Sequence, residues 1–166
     1  MKTRLISLLA VPALLCAAVL PARAQEIVRH KIPGSDFPIA QAVTLPPNAT
    51  IHFISGQVPP VVDKAAAGDS LAAFGNTKQQ TVGVLTKIKD ILSGMGLSMG
   101  DVVKMQVFLV GDPTKGGKGD VAGFMEGYTQ FFGGAQPNLP ARAVFQVAAL
   151  SNPGWLIEIE VVAAKK

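Results

Sequence analysis

Residues 140–166, at the C-terminal end, constrain the fold more than any other part of the sequence. Between residues 141 and 150, apolar side chains recur at every second position, which is the period of a β-strand with two unlike faces. Residues 152–154, Asn-Pro-Gly, suit a type II turn, because proline fixes φ and glycine accepts a positive φ. A second alternating run covers residues 155–162. The pattern therefore predicts two strands joined by this tight turn as a hairpin.

Charged residues in these two runs are the unusual feature. Glu158 and Glu160 lie on the face opposite Ile157 and Ile159. A carboxylate that faces a packed layer costs free energy unless it is paired or hydrogen-bonded, which favours a functional role. An edge strand, however, commonly points alternate charges at water. For Arg142 the alternative is a strand-end arginine that reaches water or pairs with Glu160.

The rest of the chain predicts strands at residues 27–28, 41–43, 50–58 and 102–110, and a loop with at most one helical turn at 63–75. Asn76 is a suitable N-cap for a long helix with one apolar stripe. The stripe consists of Val84, Leu85, Ile88, Ile91, Leu92 and Met95. Asp120 caps a second helix, in which four aromatic residues share a face: Phe124, Tyr128, Phe131 and Phe132. This order predicts an α+β domain with two helices packed on one face of a mixed sheet.

Three segments carry a resemblance to a known family. Residues 140–142, Pro-Ala-Arg, are followed by the Pro/Gly turn and by Ile-Glu-Ile-Glu-Val-Val-Ala at 157–163. This arrangement resembles the C-terminal signature of the Rid family (YjgF/YER057c/UK114), whose best-known members are imine and enamine deaminases. Ser-Gly-Gln-Val-Pro at 55–59 and the helix, glycine and strand of residues 81–110 are similar to further family segments. The resemblance implies a chorismate-mutase-like fold and a homotrimer with clefts between subunits.

The resemblance also implies site residues. Arg142 would grip the carboxylate of a 2-imino acid, and a guanidinium suits that role because its planar fork of donors matches a carboxylate. Glu158 would activate a water that attacks the electrophilic imine carbon, giving a 2-keto acid and ammonia. Gly56 would offer a backbone N–H to the substrate carboxylate, and Ser55 would line the same pocket. Such a reaction requires no metal and no cofactor.

Three positions depart from the family pattern. Ile39 stands where a tyrosine is typical, Met125 where an asparagine is typical, and Val144 where a cysteine is common. These residues would line a more apolar pocket, which suggests a larger or more apolar 2-imino acid. The alternative is a non-catalytic member that binds a small carboxylate or a partner protein in the same cleft.

The predicted hairpin bears on assembly. Its register places Ala149 opposite Glu158 and Lys165 opposite Arg142. The two charges would then be roughly 23 Å apart along the strands. Either a bulge changes the register, or a neighbouring chain completes the site. The second interpretation agrees with a homotrimer.

Metal and nucleic-acid sites are not predicted. His30 and His52 are far apart and lack acids at ligand spacing, so we expect a surface residue and a strand residue. The full chain has 15 basic and 11 acidic residues. Three of the basic residues lie in residues 1–24, so residues 25–166 carry 12 basic and 11 acidic residues, a net charge of +1. They contain no basic cluster of the kind that binds nucleic acid.

The N-terminus has the pattern of a secretory signal peptide. Lys2 and Arg4 precede an apolar run at residues 5–20, and Ala22 and Ala24 occupy the two positions that a signal peptidase reads. Residues 1–24 are therefore predicted to be cleaved. The product would be a single Rid-like domain, residues 25–166, secreted or periplasmic in a Gram-negative cell. It would lack Cys16, the single cysteine, and would have no membrane segment.

Intact-mass measurement of the exported protein tests the cleavage. We expect the mass of a chain that begins at Gln25, since the Ala-Arg-Ala motif ends at residue 24. The mass of the uncleaved chain in the exported fraction would contradict the prediction.

Overall fold

A six-stranded mixed sheet organises residues 26–134 and 136–166, the part of the chain described by this computed structural model. The predicted signal peptide lies outside these residues. The strands are β1 (Val28–Lys31), β2 (Ala40–Thr44), β3 (Thr50–Gln57), β4 (Val102–Val110), β5 (Ala141–Val147) and β6 (Ile157–Lys165), and the helices are α1 (Leu71–Phe74), α2 (Thr77–Gly94) and α3 (Val121–Tyr128). The sheet order is β1-β2-β5-β4-β6-β3. β5 is parallel to both neighbours, and the other pairs are antiparallel.

The core lies between one face of this sheet and helices α2 and α3, which confirms the predicted fold class. Asn76 accepts a hydrogen bond from the Gln79 backbone, and the Gln79 side chain accepts one from the Asn76 backbone, so α2 begins with a capping box. Ile91 and Met95, predicted in the apolar stripe of α2, are instead 36% and 48% exposed. None of the helices in the described residues is long and apolar enough to cross a bilayer.

The predicted hairpin between the last two strands is wrong. β4 lies between β5 and β6, parallel to the first and antiparallel to the second. Met105 of β4 is therefore paired with Arg142 on one side and with Val161 on the other. The chain crosses over β4 because β4 alternates fully buried apolar residues and takes the centre of the sheet. β6 also has neighbours on both sides, so the edge-strand interpretation of Glu158 and Glu160 is wrong.

The turn at residues 152–155 exists but is not of type II. Trp155 N donates to Asn152 O at 3.0 Å, whereas Gly154 does not have a positive φ. The Asn152 side chain accepts from Gly154 N at 2.8 Å and so stabilises a different turn. Gly154 is required for another reason, since an added Cβ would lie 2.6 Å from Ser70 O.

Gln80 holds this crossover against α2. Its side chain is 1% exposed, and its Nε2 donates to Gly75 O and Gly154 O at 2.9 Å each. Its Oε1 accepts from Leu156 N at 2.8 Å. One buried amide thus satisfies three backbone groups at the point where the chain enters β6.

We expect Gln80→Met to lower the free energy of unfolding by about 2–4 kcal/mol, because it leaves buried backbone groups without partners. Urea unfolding measures this change. The matched control is Gln130→Met, since Gln130 is exposed and its side chain bonds, among the described residues, only to Glu126 O of its own turn. Equal unfolding midpoints for the two variants would contradict the role of Gln80.

Candidate functional site

Arg142 lies near the start of β5, between the sheet and α3. Its partner Met105 is buried on the helix face of β4, which places Arg142 on the same face. The guanidinium carbon lies 4.3 Å from the ring centroid of Tyr128, 4.9 Å from that of Phe124 and 5.5 Å from that of Phe37. Three aromatic rings at these distances stabilise the cation without neutralising it.

The hydrogen bonds of Arg142 are incomplete within the described residues. Nη2 contacts Met125 Sδ at 3.3 Å, and Nη1 is buried with no partner there. Burial lowers the pKa of Arg142, and Tyr128 partly offsets that effect. The sequence left two other interpretations of Arg142, a side chain that reaches water and an ion pair with Glu160. Neither is observed, because the side chain is half-buried and makes no ion pair with Glu160. Nη1 is therefore free to donate to an acceptor from outside the described residues.

Tyr128 fixes the segment that covers Arg142. Its hydroxyl donates to Pro38 O at 2.8 Å, which ties residues 37–39 to α3. Ala40 N then donates to Pro140 O at 2.9 Å, where β2 meets β5. These two bonds bring Phe37 and Ile39 to the same end of the sheet as Arg142.

Glu158 and Gly56 lie together on the other face of the sheet. Glu158 is paired with Phe108 of β4 and is half-buried. The ladder between β3 and β6 shifts register between Ile54 and Gln57, and this bulge directs Gly56 at Glu158. A Cβ added at Gly56 would collide with Glu158 Oε1. The close approach explains the glycine, and Ser55 beside it is exposed.

The two carboxylates of β6 have different partners. Gln106 Nε2 donates to Glu160 Oε1, so this carboxylate is held by the neighbouring strand. The Glu158 side chain has no hydrogen-bond partner among residues 26–134 and 136–166, although its backbone belongs to the ladder with β4. It is therefore the carboxylate of the two that remains available for an incoming group.

Within one chain, the predicted site residues form two separate groups. Arg142 lies with Met125 and the partly buried Val144 on the helix face, and Ile39 lies at the same end of the sheet, directly before β2. Glu158 lies with Gly56 and Ser55 on the open face. The two Cα atoms are two strands and three residues apart, roughly 14 Å. This distance is shorter than the roughly 23 Å expected from the incorrect hairpin register. It is still too long for Arg142 and Glu158 of one chain to contact the same small substrate.

The aromatic rings around Arg142 were not predicted as site residues. Phe124 and Tyr128 are spaced as residues on the buried face of a helix, so the sequence pattern predicts packing for them and gives no sign of a contact with Arg142. Phe37 lies in a loop rich in Pro, Gly and Asp and has no periodic neighbours. Its single signal is an aromatic residue in a polar loop, directly before Pro38.

The open face of the sheet is unusually apolar. Phe53 is 82% exposed, and Ile51 and Phe145 are each 46% exposed. Phe145 stacks on Phe108 with ring centroids 6.2 Å apart. A groove of about 340 Å³ crosses this face, with Phe53, Ile51 and Val162 among its lining residues. Exposed apolar side chains in this number are typical of surfaces that bind a partner or a ligand.

Comparison with known proteins identifies the family. A family model described as Endoribonuclease L-PSP matches residues 34–165. The chain belongs to this family. The 2-iminobutanoate/2-iminopropanoate deaminase of Capra hircus is 34% identical over 135 residues, 81% of this chain and 85% of the goat protein. A RutC family protein of Pyrococcus abyssi is 32% identical over 146 residues, 86% of this chain and 99% of the relative.

Solved structures agree with this membership. Escherichia coli TdcF with bound serine has a TM-score of 0.55 and 31% identity, covering 86% of this chain and all of TdcF. A YjgF/YER057c/UK114 family member from Mycobacterium tuberculosis has a TM-score of 0.50 and 26% identity, covering 84% of this chain and all of that protein. The resemblance to the Rid family is therefore confirmed.

Tyr128 allows a direct test of the Arg142 surroundings, because it is the single tyrosine of the chain. Burial raises its pKa to about 12 from 10.0, although Arg142 acts in the opposite direction. The unfolded chain loses this proton at a lower pH than the folded chain. The contribution of Tyr128 to the free energy of unfolding is therefore full below pH 10 and is lost as the pH rises toward 12. The phenolate absorbance of the folded protein, measured against pH, should have its midpoint at about 12. A midpoint near 10, with circular dichroism still showing a folded protein, would contradict the burial.

Proposed function

We propose that this protein is an imine deaminase that hydrolyses 2-imino acids to 2-keto acids and ammonia. The observation that carries the proposal is the buried Nη1 of Arg142, which has no acceptor in the described chain. A substrate carboxylate is a suitable acceptor, because a charged fork binds it with two parallel bonds. The relative from Capra hircus, named a deaminase of such imino acids, supports the general reaction.

The complete site is proposed to form between subunits. Arg142 and Glu158 lie on opposite faces of the sheet, so a second copy must bring its own Glu158 to the guanidinium. The exposed side chains of Ile51, Phe53 and Phe145 on the open face provide the apolar surface for such an association. We propose a homotrimer with one site at each contact between subunits.

The chemistry then needs few groups. Arg142 holds the substrate carboxylate, which fixes the imine carbon beside a water. Glu158 accepts a proton from that water as its oxygen bonds to the imine carbon. That proton passes to the nitrogen, so the C=N bond becomes a single bond in a carbinolamine. Glu158 then takes the hydroxyl proton of the carbinolamine and passes it to the same nitrogen, so the C–N bond breaks and ammonia leaves as the carbonyl forms. One water is consumed, and no electrons are transferred.

Export is part of the proposal. The predicted signal peptide would direct residues 25–166 out of the cytoplasm, to the periplasm in a Gram-negative cell. The family description names an endoribonuclease, but a net charge of +1 after cleavage offers little attraction to a polyanion. A small 2-imino acid is therefore preferred over RNA as the substrate.

One observation favours a second candidate, a non-catalytic receptor for small carboxylates. The guanidinium and the carboxylate are on opposite faces of one chain, so copies that do not share sites would bind an acid without hydrolysing it. Tight binding of 2-oxobutanoate, with no imine turnover, would favour this candidate over the deaminase.

The test is 2-keto acid release from imines that an amino-acid oxidase generates in situ. Arg142→Ala should lower kcat/KM, because it removes the group that binds the substrate carboxylate. Glu158→Gln should lower kcat by about 10²–10⁴-fold, because it removes the base that activates the water. Glu126→Gln is the matched control, because Glu126 is an exposed residue of α3 that pairs with Lys78. Unchanged rates in both site variants would refute the deaminase.

Mixing subunits tests the shared site. Equal amounts of Arg142→Ala and Glu158→Gln chains, unfolded and refolded together, should recover about one quarter of the wild-type rate, because a site is intact when both contributing subunits carry the native residue. No recovery would place both residues within one subunit and contradict the intersubunit site.

A further inference from the structure

The surface beside the Arg142 guanidinium is apolar wherever the described chain supplies it. The Phe37 ring lies 5.5 Å from the guanidinium carbon and is still 48% exposed. Met125 lies against Nη2 from the opposite element, α3. The polar side chain in contact with the guanidinium is Tyr128, whose hydroxyl is already bonded to Pro38 O.

We propose that Phe37 and Met125 determine specificity at this site, and that the preferred substrate is a 2-imino acid with an apolar side chain of leucine size or larger. This inference rests on the proposed function, because it assumes that Arg142 binds the substrate carboxylate. It extends that function from a reaction to a class of substrate.

The short distance between the two ends of such a substrate favours contact with Phe37 and Met125. The side chain begins one bond from the carbon that carries the carboxylate. A carboxylate on Arg142 therefore places the side chain within a few ångströms of Phe37 and Met125. A polar side chain would lose water there without gaining a partner, and a methyl group would leave most of the apolar surface uncovered. Each further buried methylene should raise kcat/KM about four-fold.

The apolar surface is held in place before any ligand arrives. The Tyr128 hydroxyl holds the carbonyl of Pro38, and Ile39 N donates to Phe37 O at 2.8 Å. These two hydrogen bonds fix the backbone from Phe37 to Ile39. Binding therefore needs little ordering of this segment, which increases the net gain from apolar contact. Met125 is unbranched and adapts its shape, so branched and aromatic side chains both fit beside it.

The experiment compares kcat/KM for imines generated from leucine, phenylalanine and alanine. We expect at least a ten-fold preference for the leucine- and phenylalanine-derived imines over the alanine-derived imine. Met125→Ala and Phe37→Ala should each reduce that preference at least three-fold by slowing the larger substrates. Phe37→Leu, which keeps an apolar contact, should fall between Phe37→Ala and the wild type.

Met95→Ala is the matched control, because Met95 is 48% exposed at the C-terminal end of α2 and should leave the preference unchanged. An equal loss on large and small substrates would mean that Phe37 and Met125 only hold Arg142, and would overturn the inference. A wild-type protein that hydrolyses the alanine-derived imine as well as the leucine-derived one would also overturn it, with the deaminase intact. No turnover of any imine would refute the proposed function itself.

Discussion

The burial of a single cation against aromatic rings is the interaction on which the candidate site depends. Arg142 is half-buried between the sheet and α3, with three rings and a thioether around it, and among residues 26–134 and 136–166 no acid forms an ion pair with it. Removing such a charge from water costs free energy, which the groups packed around it must offset. α3 is held close to α2, since a Cβ at Gly127 would lie 2.7 Å from Thr81 Cβ. Its packing therefore keeps Tyr128 and Met125 against the guanidinium.

The central position of β4 determines how the rest of the site is distributed. By separating β5 from β6, it places Arg142 and Glu158 two strands apart and on opposite faces. One face is covered by helices, and the other carries Phe53 and Phe145 in exposed positions. The same arrangement that divides the two charges thus provides the apolar surface through which a second copy would reunite them.

Much of the fold was predictable from local signals. Asn76, Asp120 and the alternation in β4 identify their elements because capping and periodicity act over a few residues. Strand pairing was not predictable, since a turn signal at residues 152–154 shows where the chain bends but not which strands become neighbours. Gln80 gave no signal, because an internal glutamine in a helix is ordinarily solvated. The proposed role of Arg142 came from the family resemblance, whereas its aromatic neighbours required coordinates that bring Phe37 to α3. The signal peptide and the trimer stay predictions.

A crystal structure of the assembled protein with 2-oxobutanoate, the product of such a reaction, tests the central claim most directly. The predicted result is a carboxylate oxygen about 3 Å from Nη1 of Arg142, with Glu158 of a neighbouring copy facing the keto carbon. An Arg142 directed at bulk solvent, with no cavity beside it between copies, would contradict the account and leave only the architecture.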